Sequence, residues 1–150
     1  METREAIWLE LMKFHGLKEI VGSEDNPIIV GWFKELGYSW IKDDETAWCS
    51  LTVNIMAKRC GLEYSGKLDA RSWMKVGKTI IKPEIGHIVV FWREEEKGWK
   101  GHVGLFAGYT EDKTSIFVLG GNQNNMINIA SYPVLAPNYG LLGFREIDLQ

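Results

Sequence analysis

The sequence contains no apolar run near the roughly 18 residues that a transmembrane helix needs, so we expect no membrane span. Its first residues, METREAIWLELMKFHG, are charged from the second position and lack the apolar core of a secretory signal. These two absences predict a protein that is made in the cytoplasm and has no membrane as its partner.

A strong excess of one charge sign is also missing. Seventeen Lys and Arg residues stand against twenty Asp and Glu residues, and the net charge is -3. The basic residues are scattered along the chain, which argues against nucleic acid as the main partner. With 150 residues, of which 45% are hydrophobic, the chain suffices for one domain, residues 1–150, with its own core. We expect it to be a monomer.

Cysteine is scarce, because the chain has only Cys49 and Cys60. Eleven positions on one predicted helix separate them by about 16 Å, which is too far for a disulfide. We therefore predict two free thiols and a reducing compartment. Neither cysteine belongs to a C-x-x-C pair, which argues against a zinc site built on cysteine.

Helical patterns fill the first half of the chain, and short β-rich runs fill the second half. Apolar spacing and glycine stops predict helices over residues 3–14, 27–36, 46–60 and 70–76. Turn clusters separate five strand-like runs at residues 86–92, 101–109, 115–121, 126–132 and 141–146. This order predicts an α+β domain, with N-terminal helices packed on one side of a mostly antiparallel sheet of about five to six strands.

The stretch KDDETAWCSLTVNIMAKRCG places Cys49 directly after a run of helix-capping residues. Asp44 and Thr46 are the N-cap candidates. Either one places Cys49 near the first turn, where backbone N–H groups and the helix dipole stabilise a thiolate. Cysteine is also among the most often buried residue types. On position alone, Cys49 as a nucleophile and Cys49 as core packing weigh equally, whereas Cys60 is predicted to be structural.

A cysteine nucleophile needs a base, usually histidine, and a polar group that orients the base. Of the three histidines, His15 lies beside a helix stop, and His87 and His102 each open a predicted strand. Asn122, in the cluster VLGGNQNN, follows the next strand and is placed to orient an imidazole. Each feature also has an ordinary explanation, because strand-end histidines bond to turns and Asn-Gly clusters form turns.

Several segments together carry a resemblance to a known family. WCS, ARSW, GHVG and LGGNQ follow one another within the longer pieces DNPIIVGWFKELG, DETAWCSLTVN, DARSWMKVGK, GHIVVFW, GHVGLFAGY and VLGGNQNNMINIASYP. In these pieces the sequence resembles the CHAP and NlpC-type cell-wall cysteine peptidases, in particular a phage-associated branch of short stand-alone domains. The resemblance covers roughly residues 22–145 and implies a minimal papain-like fold.

The resemblance also implies roles for individual residues. Cys49 is expected to be the nucleophile, His102 the general base and Asn122 the orienting third residue. On the substrate side of the cleft, it implies three further residues, namely Trp48, Trp73 and Gln123. Arg71, in the ARSW piece, is either a structural anchor or a substrate contact.

One position departs from the family pattern. The family usually has Gly-Asp at the first strand, where this chain has Gly86 and His87, so His87 is a second candidate for the base. The HVG segment, followed by the strand that leads to GGNQ, favours His102. The implied chemistry needs no metal or organic cofactor. The KDDE segment at 42–45 is similar to part of a calcium site in some relatives, but its predicted role is the helix cap.

The function that the resemblance implies is hydrolysis of an amide bond in peptidoglycan, either within the stem peptide or between sugar and peptide. Such an enzyme acts in the periplasm or at the cell wall after release or delivery, as a phage lysin or an injected effector. An immunity protein or a phage structural protein is a candidate partner. One alternative is a non-catalytic protein of the same fold that binds cell wall or builds a phage particle. Another is a cysteine hydrolase or acyltransferase that acts on proteins or lipids.

Overall fold

The computed structural model describes residues 1–19, 25–41 and 48–150. In these ranges the helices come first, and they are α1 (Thr3–Met12), α2 (Pro27–Glu35), α3 (Cys49–Arg59) and a 3₁₀-helix at Ala70–Lys75. The strands follow as β1 (Lys78–Ile80), β2 (Ile88–Arg93), β3 (Gly101–Tyr109), β4 (Ser115–Gln123), β5 (Met126–Pro133), β6 (Leu135–Ala136) and β7 (Tyr139–Glu146). The predicted α+β class is confirmed. None of the described helices is both long enough and apolar enough to cross a membrane.

The strands form one antiparallel sheet in the order β1-β7-β2-β3-β4-β5, with β6 paired to β7. The five predicted strands are present, with ends that differ by a few residues from the prediction. Strands β1 and β6 are additional. They have only three and two residues, which is too short for an alternating pattern to appear in the sequence.

Helix α3 lies in the centre of the core. Every residue from Cys49 to Ala57 is buried, whereas the sequence predicts one apolar side with Leu51, Ile55 and Met56. The helix contacts α1 and α2 as well as strands β3 and β4. Because α3 is buried all round, its polar side chains have to find their hydrogen-bond partners inside the protein.

Ser50 and Asn54 find these partners in the segment that follows α3. Ser50 Oγ donates to the carbonyl oxygen of Lys67 at 2.7 Å, and Asn54 Nδ2 donates to the same oxygen at 3.0 Å. Asn54 Oδ1 in turn accepts from the Gly66 N–H at 2.7 Å. These bonds hold the segment around residues 65–67 against the first two turns of the helix.

The two faces of the sheet belong to different hydrophobic clusters. In β2, Ile88 and Val90 pack with the helices, whereas Val89 and Phe91 point to the other face, as strand alternation requires. The second cluster is completed by Phe106, Ile116, Val118 and Phe144, with Tyr132 and Tyr139 among the side chains packed against it. His102 is the cross-strand partner of Phe91, which places its ring on the side of this second cluster.

Gly121 in β4 allows the sheet to approach the start of α3. A Cβ atom at this position would lie 2.8 Å from Cζ3 and 2.9 Å from Cε3 of Trp48, well inside normal contact. It would also overlap Oγ1 of Thr52. The absence of a side chain at residue 121 therefore sets the distance between β4 and the first turn of α3.

We expect Gly121→Ala to lower the free energy of unfolding by about 1–3 kcal/mol, because an added methyl in a packed core forces its neighbours to shift. Gly31→Ala is the matched control, since Gly31 is an exposed residue of α2 and an added Cβ meets nothing within 4 Å. That change should raise the free energy of unfolding by about 0.5–1 kcal/mol. Urea denaturation measures both, and equal effects of the two substitutions would contradict the close packing at Gly121.

Candidate active site

Cys49 is the first residue of α3 and is only 7% exposed. Trp48 occupies the N-cap position, and its side chain makes no capping hydrogen bond. The prediction that Asp44 or Thr46 is the N-cap is therefore wrong, because the helix begins later, and both residues lie outside the described ranges. Cys49 still lies in the first turn, where backbone N–H groups have no helical acceptor.

His102, the second residue of β3, interacts with Cys49. Burial by itself would raise the pKa of the Cys49 thiol, but the hydrogen bond and the positive charge of His102 lower this pKa below its ordinary value. Burial would likewise lower the pKa of His102, but the hydrogen bond and negative charge of Cys49 raise it. The two opposite shifts favour a thiolate–imidazolium pair.

Gln123 is a second partner of His102. Gln123 Oε1 lies 2.9 Å from Nε2 of His102. Gln123 Nε2 donates to the carbonyl oxygens of Val118 at 3.0 Å and Asn128 at 2.9 Å, and to Oδ1 of Asn128 at 3.0 Å. Because acceptors surround the amide nitrogen, the oxygen has to face the ring, and His102 Nε2 then carries a proton. Cys49 is the other hydrogen-bond partner of His102.

Asn122, the predicted orienting residue, is not the group that bonds to His102. The register between β4 and β5 shifts between Gly120 and Gln123, and Asn122 has a φ of 56°. This bulge directs the following residue, Gln123, towards the ring. Gly120 provides the space, since a Cβ there would lie 2.6 Å from Gln123 Oε1. The LGGNQ cluster signals an amide near the histidine, but the bulge decides which amide it is.

Two tyrosines, Tyr132 and Tyr139, lie next to the pair. The Tyr132 ring is 4.8 Å from the His102 ring, and Tyr139 stacks on Tyr132 at 5.4 Å with an interplanar angle of 15°. Burial raises the pKa of Tyr132 to about 12 and also raises that of Tyr139, and the Cys49 charge adds to both shifts. The phenols therefore stay neutral beside the thiolate. In the alternating pattern of the strands, they look like ordinary core aromatics.

The residues predicted on the substrate side are buried instead. Trp48 and Trp73 are 0% exposed and Gln123 is 1% exposed, so none of them offers a surface to a ligand. Trp48 Nε1 donates to Glu19 Oε1 at 2.6 Å, and Trp73 Nε1 donates to Ser50 Oγ at 3.0 Å. Both indoles are large apolar groups whose single donor finds an internal acceptor. Trp48 is itself the residue before Cys49, and Trp73 bonds to Ser50, the residue after it.

His87 has its own set of partners, away from the pair. Its Nδ1 accepts from the Glu84 N–H at 2.9 Å, and its Nε2 lies 3.6 Å from Oε2 of Glu146. Burial lowers the pKa of His87 even though Glu146 acts in the opposite direction. Its hydrogen bond closes the turn before β2, which is the ordinary role of a histidine at the start of a strand.

Arg71 is a structural anchor. Its guanidinium donates to the carbonyl oxygens of Glu95 at 2.6 Å, Glu96 at 2.7 Å and Lys100 at 2.8 Å. These three bonds tie the 3₁₀-helix to the loop between β2 and β3. They use a donor on each nitrogen of the guanidinium, and no carboxylate of the described residues forms an ion pair with Arg71.

The described ranges contain no group of three or more His, Cys, Asp and Glu side chains that could hold a metal ion. The KDDE segment falls outside these ranges. No protein-family model matches the chain, and no curated protein matches it at a significant level. The candidate active site therefore depends on the geometry of Cys49, His102 and Gln123.

We expect iodoacetamide at pH 7 to alkylate Cys49 faster than Cys60. Thiolate is the reactive form, and the pKa of Cys49 is lowered whereas burial and the charge of Glu10 raise that of Cys60. Mass spectrometry of the two cysteine peptides measures both rates.

His102→Ala should slow the alkylation of Cys49 by about tenfold for each unit by which the thiol pKa rises. His15→Ala is the matched control, because His15 is exposed and lies outside the site, and it should leave the rate unchanged. Faster labelling of Cys60, or an unchanged rate in His102→Ala, would contradict the ion pair.

Gln123→Ala should slow the alkylation of Cys49 at pH 7 by about tenfold, because the hydrogen bond to the charged ring is lost. Asn122→Gly, which keeps a positive φ without strain, should change the rate much less. If the Asn122 variant is the slower one, the orienting residue is Asn122 after all. Circular dichroism establishes that both variants are folded.

Proposed function

We propose that this protein is a cysteine hydrolase that cleaves amide bonds of peptidoglycan. The observation that carries the proposal is the chain of contacts from Cys49 to His102 to Gln123. A thiol with a lowered pKa, a histidine with a raised pKa and an amide with a fixed orientation are the parts that thiol catalysis requires. A cysteine that only packs in a core needs none of them, and opposite pKa shifts of this kind are typical of functional sites.

In the proposed reaction, the Cys49 thiolate attacks the carbonyl carbon of the amide. The oxyanion of the tetrahedral intermediate is stabilised by backbone N–H groups at the start of α3, including that of Cys49. His102 donates its shared proton to the leaving amine, and the C–N bond breaks to give a thioester. Water then attacks the thioester, His102 accepts the proton from that water, and the acid product leaves with the thiolate restored.

The choice of peptidoglycan as the substrate comes from the resemblance to CHAP and NlpC-type cell-wall peptidases. The order of WCS, ARSW, GHVG and LGGNQ along the chain supports it. An α+β chain with a cysteine at a helix start, a histidine in a strand and an amide in the next strand is also what a minimal papain-like fold requires. In this proposal Gln123 takes the place that the resemblance assigns to Asn122.

The test is incubation with purified bacterial cell walls, followed by assay of new amino groups and mass spectrometry of the released muropeptides. We expect the protein to release them and Cys49→Ala to do so about a thousandfold more slowly or not at all. Cys60→Ala is the control and should stay active, because Cys60 is remote from His102 at the other end of α3.

Clearance of walls by Cys49→Ala at the wild-type rate would disprove the proposal. Binding of walls without release of amino groups would favour the non-catalytic alternative. Cleavage of a protein or lipid amide with walls left intact would favour a hydrolase of another substrate class.

We expect the rate to depend on pH as a bell-shaped curve, because the reaction needs Cys49 deprotonated and His102 protonated. The acid limb should extend below the ordinary pKa of a thiol, since the pKa of Cys49 is lowered. The alkaline limb should begin above the ordinary pKa of histidine, since the pKa of His102 is raised. A rate that rises only above pH 8.5, the ordinary thiol range, would contradict the ion pair.

A further inference from the structure

A cleft of about 480 Å³ lies between the segment that follows α3 and the loop that precedes β3. One wall comes from residues within 64–76, and the other comes from residues 98–99. The first wall is bonded to the neighbour of Cys49, since Ser50 Oγ donates to the carbonyl oxygen of Lys67 at 2.7 Å. The second wall leads directly into β3, where Trp99 stands three positions before His102. The first wall is therefore tied to the residue after Cys49 by a hydrogen bond, and the second wall is tied to His102 by the chain itself.

The two walls are joined by Arg71. Its three hydrogen bonds run from the 3₁₀-helix to the loop that contains Trp99. Within the first wall, Ser72 Oγ donates to Ser65 Oγ at 2.8 Å and to the carbonyl oxygen of Asp69 at 2.7 Å. The cleft is therefore formed before any ligand arrives, and binding does not have to order its walls.

The charge of the cleft is positive although the whole chain carries a net charge of -3. Its charged lining, as far as the described ranges go, consists of Lys67, Arg71 and Lys75 and one acid, Asp69. Lys67 and Lys75 are exposed, and neither makes an ion pair with any residue in the described ranges. Among the described residues, the guanidinium of Arg71 bonds to carbonyl oxygens alone. A concave surface with two unpaired ammonium groups favours an anionic ligand.

The outer edge of the cleft carries a large aromatic surface. Trp99 is 72% exposed. Lys100 Nζ lies 5.6 Å from the Trp99 ring centroid, but Lys100 does not line this cleft. An exposed indole that lines the same cleft as Lys67 and Lys75 fits a ligand that combines carboxylates with an apolar backbone or a sugar ring.

We propose that this cleft binds the carboxylate-bearing peptide of the substrate, with Lys67 and Lys75 contacting carboxylates near the scissile amide and Trp99 covering its apolar part. The identity of this peptide as a peptidoglycan stem peptide, which carries several carboxylates, rests on the proposed function. Lys67 and Lys75 are then specificity-determining residues, and substrate affinity falls as salt screens their charges.

The experiment compares Lys67→Ala/Lys75→Ala with Lys34→Ala/Lys82→Ala, a control that removes the same charge from exposed lysines elsewhere. Binding is measured by calorimetry in the Cys49→Ala background, with soluble muropeptides released from purified walls by a muramidase. A second ligand is the same preparation with its carboxylates amidated by carbodiimide and ammonium chloride. We expect the cleft variant to have a Kd about three- to tenfold higher for the native muropeptides. The control pair should match its parent.

Amidated muropeptides should bind the parent and the cleft variant equally. With Cys49 present, the cleft variant should show a raised KM and a nearly unchanged kcat, because the lost contacts are made equally in the ground and transition states. An equal Kd for parent and cleft variant, or no effect of amidation on the parent, would overturn the cleft proposal.

The outcomes separate this proposal from the proposed function. Cleavage that does not depend on Lys67 and Lys75 would refute the cleft and leave the hydrolase standing. Lysine-dependent binding without cleavage by the wild-type chain would support the cleft and refute the hydrolase. Muropeptides that are neither bound nor cleaved would refute both.

Discussion

Helix α3 is buried on every side, and most of the architecture follows from this constraint. A buried helix has to satisfy its polar side chains internally. Ser50 and Asn54 do so by bonding to Gly66 and Lys67, which fixes the following segment against the helix. On its opposite side, Gly121 brings β4 into contact with Trp48. The start of α3 is thus held between a loop and a strand, and Cys49 is placed with little freedom to move.

The same burial gives the site its electrostatic character. An isolated thiolate in this position would be strongly disfavoured by desolvation. Cys49 nevertheless has a lowered pKa, because the His102 charge and nearby backbone groups outweigh desolvation. The histidine is held in turn by Gln123, whose amide is oriented by acceptors from β4 and β5. The charged pair is therefore stabilised by groups whose positions are set by the sheet itself.

The cleft and the candidate active site are connected by hydrogen bonds from the 3₁₀-helix. Arg71 connects the 3₁₀-helix to the loop before β3, and Trp73 of the same 3₁₀-helix bonds to Ser50. These contacts connect the cleft walls to Ser50, which follows Cys49, and to Lys100, which precedes His102 by two positions. The resemblance places Trp73 at the substrate, but this tryptophan is buried and supports the residue after Cys49. The exposed indole ring of the cleft belongs to Trp99.

The chain's local patterns are sufficient to predict its helices, its five longer strands and the position of Cys49 at a helix start. Hydrophobic periodicity, glycine stops and turn clusters act over a few residues, so they appear directly in the sequence. The very short strands β1 and β6 carry too little pattern to be predicted, and the N-cap at Trp48 lacks the side chain that marks a cap. The order of Cys49, His102 and an amide cluster also suffices to nominate a candidate site.

By itself, then, the sequence determined the α+β class, the order of its elements and the chemical types in the candidate site. The tertiary structure alone decided that Gln123 rather than Asn122 meets the ring of His102, because a bulge between β4 and β5 sets the direction of each side chain. It also decided that Trp48 and Trp73 are core residues and that Lys67 and Lys75 share a cleft with Trp99. These outcomes depend on contacts between residues that are distant in the chain, and no local pattern encodes them.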